Sequence, residues 1–295
     1  MFQGISIKEF TKAFKHEEDC LQYLYDVKWS QGYRCRRCGC EKSYKGRTRF
    51  HIRCQACRYD ESVTAHTMFH KLKIPLMKAF GIMFRLSVRK KGMSTTELAK
   101  EFSINQKSSW LFKRKTQEAM KSSGKHLLDA KVEVDEILIG GPEKNKRGRK
   151  KGDKKLIVIA VEKVKGNKLG RGYAEVIEKA SGACFKPFFE RYIDKDNAQV
   201  ITDGWRGYLP LESEFDIRQK PSNGGKGFPG LHALIMNLKG WIRGIHHHCS
   251  ERFTNGYLDE FFFRFNRRSF LHSIWHKLVE RFMMKPPYSY KAIAF

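Results

Sequence analysis

Acidic residues are scarce in this chain of 295: 31 Asp and Glu stand against 58 Lys and Arg, a formal net charge of +27. A surplus of that size repels itself until a polyanion neutralises it, and the commonest polyanion is nucleic acid. Long apolar runs are also missing. No stretch of eighteen apolar residues occurs, which excludes an expected membrane-spanning helix and any membrane partner. Met1 to Phe10 carries charges and no apolar h-region, so no signal peptide is expected and the protein is expected to stay in the cytoplasm. Thiols are reduced there, which argues against a disulfide framework and leaves the eight cysteines as metal ligands or inert core groups. No internal repeat is visible. What is present suffices for a core: 41% hydrophobic and 13% aromatic residues exclude global disorder, and the length allows two or three units.

Cys35-x2-Cys38 and Cys54-x2-Cys57 are two knuckles separated by fifteen residues. Each sets two thiolates on a tight turn, and two such turns face to face complete a tetrahedral sulfur cage for zinc. Arg34, Arg36, Arg37, Lys42 and Lys45 surround the cage and offer phosphate contacts. Cys40 breaks the knuckle spacing and is left out, His51 reads as a surface residue, and Cys20 falls in the apolar pattern of residues 7 to 27.

From Ile74 to Val88 apolar residues return at helical spacing. Ser94 and Glu97 form a capping-box pair ahead of Leu98, Ala99 and Phe102, Ser103 to Asn105 reads as a turn, and Gln106 to Met120 as a second helix. Two short helices with a tight turn make a helix-turn-helix, whose second helix would lie in a major groove. After Gly124 the texture becomes β. Lys131 to Ile139, Leu156 to Glu162, Gly172 to Ile177 and Ala198 to Thr202 are rich in Val and Ile, and Cys184 to Tyr192 reads as a helix before the last of them. Three strands, a helix and a further strand open an α/β fold of ribonuclease-H-like type, a mixed sheet with flanking helices. Leu231 to Ile242 and Tyr257 to Leu271 follow as helices. The expected organisation is residues 1–60 for an N-terminal helix and zinc ribbon, 61–125 for the helix-turn-helix region and 126–295 for the ribonuclease-H-like domain. Between the first two strands, Glu143 to Lys155 holds eight Lys or Arg and two Gly, a loop tip suited to lie along a DNA backbone.

Asp135 lies inside a β-branched run, where a charge is costly unless paired or metal-bound. Asp203 ends another such run. Neighbouring strands could bring the two carboxylates together, and they would repel unless cations such as Mg²⁺ lay between them. Two metal ions about 4 Å apart would then clamp the attacking and leaving oxygens of a phosphoryl displacement.

Seven stretches appear in order: CRRCGC with CQAC, HTMFHKLKIPL, STTELAKEFSI, VEVDEILIGG, VITDGWRGY, LIMNLKGWIRG and YLDEFFFRFNRR. Together, over roughly residues 20 to 285, they resemble the bacterial insertion-sequence transposases with an N-terminal zinc ribbon and a DDE-type catalytic domain. The resemblance implies metal-dependent cleavage of double-stranded DNA at terminal inverted repeats and attack of a 3′-hydroxyl on target DNA. It implies Asp135 and Asp203 as the first two catalytic acids and metal ligands, a dimer or higher oligomer on paired ends, and association with the nucleoid. The third position stays open. No Asp or Glu occurs from Leu231 to Gly244. Asn237, 34 positions after Asp203, ranks ahead of Glu260, and His232 comes third. Lys239 is placed to contact a phosphate. His246, His247 and His248 fan around the backbone and read as DNA-facing or structural, and Phe261 to Arg268 as a core face carrying three arginines suited to lie against DNA. A non-catalytic zinc-ribbon DNA-binding regulator explains the charge and the cysteines equally well, but not two strand-borne aspartates. A sequence-nonspecific nuclease is a third reading.

Overall fold

A computed structural model describes residues 1–141, 154–165, 168–246 and 249–294. In chain order the elements are α1 (Ile7–Ala13), α2 (Glu17–Lys28), β1 (Ser43–Lys45), β2 (His51–Cys54), β3 (Asp60–Ser62), α3 (Leu76–Val88), α4 (Thr95–Glu101) and α5 (Gln106–Met120), then β4 (Lys131–Ile139), β5 (Lys155–Val164), β6 (Lys168–Ile177), α6 (Gly182–Tyr192), β7 (Gln199–Thr202) and β8 (Asp216–Gln219), and finally α7 (Pro229–Ile245), α8 (Glu251–Phe265), α9 (Leu271–Met284) and α10 (Tyr290–Ala294). They form two compact units, Met1–Met120 with Phe270–Phe295, and Lys121–Ser269. Of the basic loop between β4 and β5, residues 143–153 lie outside the described residues, as do His247 and His248.

The first unit is built on aromatic rings. Phe10, Phe14, Tyr23, Phe80, Phe84 and Trp275 come from α1, α2, α3 and α9, with ring centroids 4.7 to 6.2 Å apart. Edge-on and tilted rings interlock, so a few large side chains build this core. The last long helix, α9, therefore completes the core begun by the first. α4 starts where the sequence says it should: the Ser94 hydroxyl accepts from the Glu97 amide at 3.2 Å and the Glu97 carboxylate accepts from the Ser94 amide at 2.8 Å. Phe102 ends it by packing into the space left at Gly81 of α3, where a Cβ would lie 2.4 Å from the ring. Ser103 takes a φ of +47°, and the chain turns into α5. Ser109 of α5 donates to the Thr95 carbonyl at 2.8 Å, and the buried Lys113 donates to the Met93 carbonyl at 2.6 Å. α5 is thus anchored along most of its length, and its first turn, Gln106 and Lys107, is exposed.

The second unit is a mixed five-stranded sheet in the order β6-β5-β4-β7-β8, antiparallel through β6, β5 and β4 and parallel through β4, β7 and β8. This is the ribonuclease-H-like arrangement. Because side chains alternate along a strand, β4 supplies both cores. Val132 and Val134 pack with α6 on one face. Ile137 and Ile139 pack with α7 and α8 on the other.

Candidate functional site

The parallel pairing of β4 and β7 runs to Glu133 beside Ile201. Continued two residues past that last pair, the register sets Asp135 of β4 level with Asp203, the first residue after β7. Asp203 closes its strand by accepting the Trp205 amide at 3.0 Å, and Asp135 accepts the Glu136 amide at 2.8 Å. Glu136, one residue on, faces the other way and takes a 2.8 Å hydrogen bond from the Tyr208 hydroxyl. Burial holds the Tyr208 phenol well above its usual pKa, and the negative charges of Glu136, Asp135 and Asp203 push the same way. Of the three carboxylates, Glu136 is the one that the phenol touches.

α7 brings a fourth group. Pro229 opens the helix, and His232, in its first turn, sets Nε2 3.8 Å from Asp135 Oδ2. Gly225 makes the approach possible. Its φ is +92°, and a Cβ there would fall 2.9 Å from His232 Nδ1. Lys239 is seven residues on, about 20° around the helix from His232, and shares its flank. Burial pushes the Lys239 ammonium down while Asp135 pulls it back up. A cavity of about 1060 Å³ is lined by Lys239 together with Lys154, Arg243 and Lys155, the last of these 4.0 Å from Glu251.

Asn237 and Glu260 are placed elsewhere. Asn237 is five residues from His232, about 140° around the helix, exposed on the opposite flank. Glu260 is fully buried on α8, the helix packed on β6, and pairs with Arg264 at 2.8 Å. Of the sequence-derived residues, the structure brings His232 to within 3.8 Å of Asp135 and sets Lys239 on the same flank of α7. Glu136 and Tyr208 carried no signal in isolation, although their neighbours did. Arg264 near the end of α8 pairs with Glu260, and just past the helix Arg267 donates to the Phe263 carbonyl and Arg268 to the Gly170 carbonyl, each at 3.1 Å.

The cysteines converge in the first unit. Cys35 Sγ lies 3.6 Å from Cys57 Sγ and Cys38 Sγ 3.5 Å from Cys54 Sγ, and all four sulfurs lie within 4.8 Å of one another. A tetrahedral ZnS4 centre with Zn–S near 2.3 Å needs sulfurs about 3.8 Å apart, so the cage fits the ion. Among the described residues it is the one such group of three or more His, Cys, Asp or Glu. Gly39, with φ at +75°, returns its amide to the Cys35 carbonyl, and Arg58, at +61°, does the same for Cys54. Burial raises the Cys35 thiol, but the amides of Cys38 and Arg37 outweigh it and bring it down to about 6. The Cys40 thiol is turned to the Lys42 carbonyl, and His51 is held by Thr48 at 2.6 Å.

Residues 15–60 match the transposase zinc-ribbon domain, and residues 127–266 match the ISXO2-like transposase domain. The chain belongs to the insertion-sequence transposases with an N-terminal zinc ribbon. The first match takes in the whole sulfur cage of the transposase, and its structural zinc rests on both observations. The second match spans the sheet, Asp135, Asp203, His232 and Lys239. No curated protein matches the transposase at significance. None of its described helices is long and apolar enough to cross a membrane.

Proposed function

We propose that the transposase cuts double-stranded DNA at the terminal inverted repeats of its element and joins the freed 3′-hydroxyl to target DNA, with Asp135, Asp203 and His232 as the metal-holding residues. The observation that carries this reading is the approach of His232 to Asp135, at 3.8 Å, on the central strand β4, whose parallel neighbour β7 leads into Asp203. Two carboxylates and an imidazole are a donor set that accepts Mg²⁺ or Mn²⁺. A pair of such ions held there supplies Lewis-acid polarisation of the scissile phosphate and a more acidic attacking oxygen. The remaining work is done by the chain. Asp135 and Asp203 are held in position by the Glu136 and Trp205 amides. Lys239 presents a cation to the non-bridging phosphate oxygens, and Lys154, Lys155 and Arg243 line the path of the backbone.

Recognition of the ends falls to the first unit. The exposed start of α5, with Asn105, Gln106 and Lys107, is the part of a helix-turn-helix that reads base edges in a major groove. Arg34, Arg37, Lys42 and Lys45 of the ribbon are exposed for phosphates, while Arg36 leans on Glu61 at 3.6 Å. The expected assembly is a dimer on paired ends, working in the cytoplasm on the nucleoid. The test is to incubate the purified protein with Mg²⁺ and DNA carrying the element's inverted repeats. Nicks at the repeat boundary and joined products are the expected result. Specific binding with no nicking would establish the regulator instead, and cleavage that ignores the repeats a plain nuclease.

A further inference from the structure

Within the first unit, a cavity of about 570 Å³ opens between the segment His70–Ile74, the first three turns of α5 and the segment Pro287–Tyr290. That volume falls within the range of sites that hold a small organic group, roughly 300 to 1,000 Å³. Its floor is apolar, with Leu72, Leu111 and Phe112. Its cations are Lys71, Lys73, Lys107 and Lys115, and no Asp or Glu lines it. None of these four lysines has a carboxylate partner among the described residues. Tyr290 stands at the mouth, about half exposed, with the Lys107 ammonium 5.8 Å from its ring centre.

An apolar floor alone would suit any hydrophobic group, and four lysines alone any anion. Together they describe a ligand with a flat apolar part and several negative charges close by, which is the chemistry of a nucleotide. Burial pushes the Lys115 ammonium down, so an anion entering beside it gains from restoring the full charge. A base paired in a duplex cannot enter a cavity, whereas an unpaired one can be splayed out and stacked on an aromatic ring. The location fits: Lys107 belongs both to this rim and to the exposed turn of α5 assigned to duplex DNA, so a duplex seated there passes the mouth.

We propose that this cavity receives one unpaired nucleotide of a DNA strand, its base on the apolar floor and against Tyr290, its phosphates on Lys71, Lys73, Lys107 and Lys115. The inference rests on the DNA-binding reading above. The test measures binding of the full-length protein, by fluorescence anisotropy, to a blunt duplex and to the same duplex with a three-nucleotide single-stranded overhang of DNA or of RNA. The DNA overhang is expected to bind about tenfold more tightly than the blunt end, the effect of stacking one base on a protein ring. Tyr290→Ala and Lys115→Met should each erase most of that preference while leaving blunt-duplex affinity and the melting temperature unchanged, and Tyr290→Phe should retain it. Equal binding of blunt and overhanging DNA would overturn the cavity's assignment and leave duplex binding intact. A preference that survives both variants, or an RNA overhang bound more tightly than DNA, would overturn it too. Failure to bind either DNA would remove the DNA-binding reading itself.

Discussion

A helix turns about 100° per residue, and that angle decides which side chains of α7 can reach Asp135. The buried stripe Leu231, Leu234, Ile235, Leu238, Trp241 and Ile242 fixes the face toward the sheet. It leaves His232 and Lys239 on one flank and Asn237 on the other. The stripe is legible in the sequence, and so is the pair of flanks. Which flank meets β4 is not, because it depends on the loop Pro221–Phe228 that enters the helix. Ranking the candidates by donor type and distance along the chain puts Asn237 first, and the proposal of His232 in its place rests on its approach to Asp135. Gly225 shows how finely the imidazole is set. With φ at +92° and no room for a Cβ beside His232, Gly225→Ala both strains the backbone and displaces the ring. This variant should lose about tenfold or more in DNA cleavage while its DNA affinity stays within about twofold, since a misplacement near 1 Å is costly to chemistry and not to phosphate contacts. Wild-type cleavage by Gly225→Ala in a nicking assay would show that His232 need not be held there.

Elements differ in how much of them could be read beforehand. β4 matches its sequence boundaries, Lys131 to Ile139, because β-branched residues and a turn on each side leave little choice. α5 likewise begins at Gln106, but the burial of its Lys113, Thr116 and Gln117 was hidden, since polar residues give no apolar period to detect. On α8 the apolar pattern continues past the true end at Phe265 because the next apolar residues, Phe270 and Leu271, open α9 in the other unit. Glu260 illustrates the ambiguity of a buried acid, which serves either a metal or an ion pair. Its partner Arg264 lies one turn on and also faces the Trp241 ring at 5.0 Å. Removing one member of such a pair leaves the other charge buried, so Glu260→Gln should cost about 3–5 kcal/mol in denaturant unfolding. Cleavage by the folded fraction should persist. A variant of full stability and no activity would instead make Glu260 part of the chemistry. The zinc ribbon is the most legible element, because cysteine spacing alone defines the cage. Its three strands are three to four residues each, and metal binding supplies most of the folding free energy of such a small sheet. Cys35→Ser should lose zinc by elemental analysis and lower end-specific binding at least tenfold, with the five-stranded sheet intact by circular dichroism. Collapse of the whole chain on zinc loss would contradict an independently folding second unit.

For the whole molecule, the charge of +27 and the family match agree on a DNA partner, and the carboxylate site is what the proposed function adds, turning a bound partner into one that is also cut. Charge was readable from composition. The division into units was less so: α9 shows one apolar face, Ile274, Trp275, Leu278 and Phe282, and a one-faced helix does not say against what it packs. It completes the aromatic core of the first unit. The most direct test of the account is a Mg²⁺-dependent cleavage assay, run beside DNA binding, on Asp135→Asn, Asp203→Asn, His232→Ala and Asn237→Ala. The first three should each lose about a thousandfold or more in cleavage, the rate equivalent of some 4 kcal/mol of transition-state stabilisation, and still bind the ends. Asn237→Ala should cleave at close to the wild-type rate. Full cleavage by either aspartate variant, or an inactive Asn237→Ala beside an active His232→Ala, would contradict the metal site proposed for this fold.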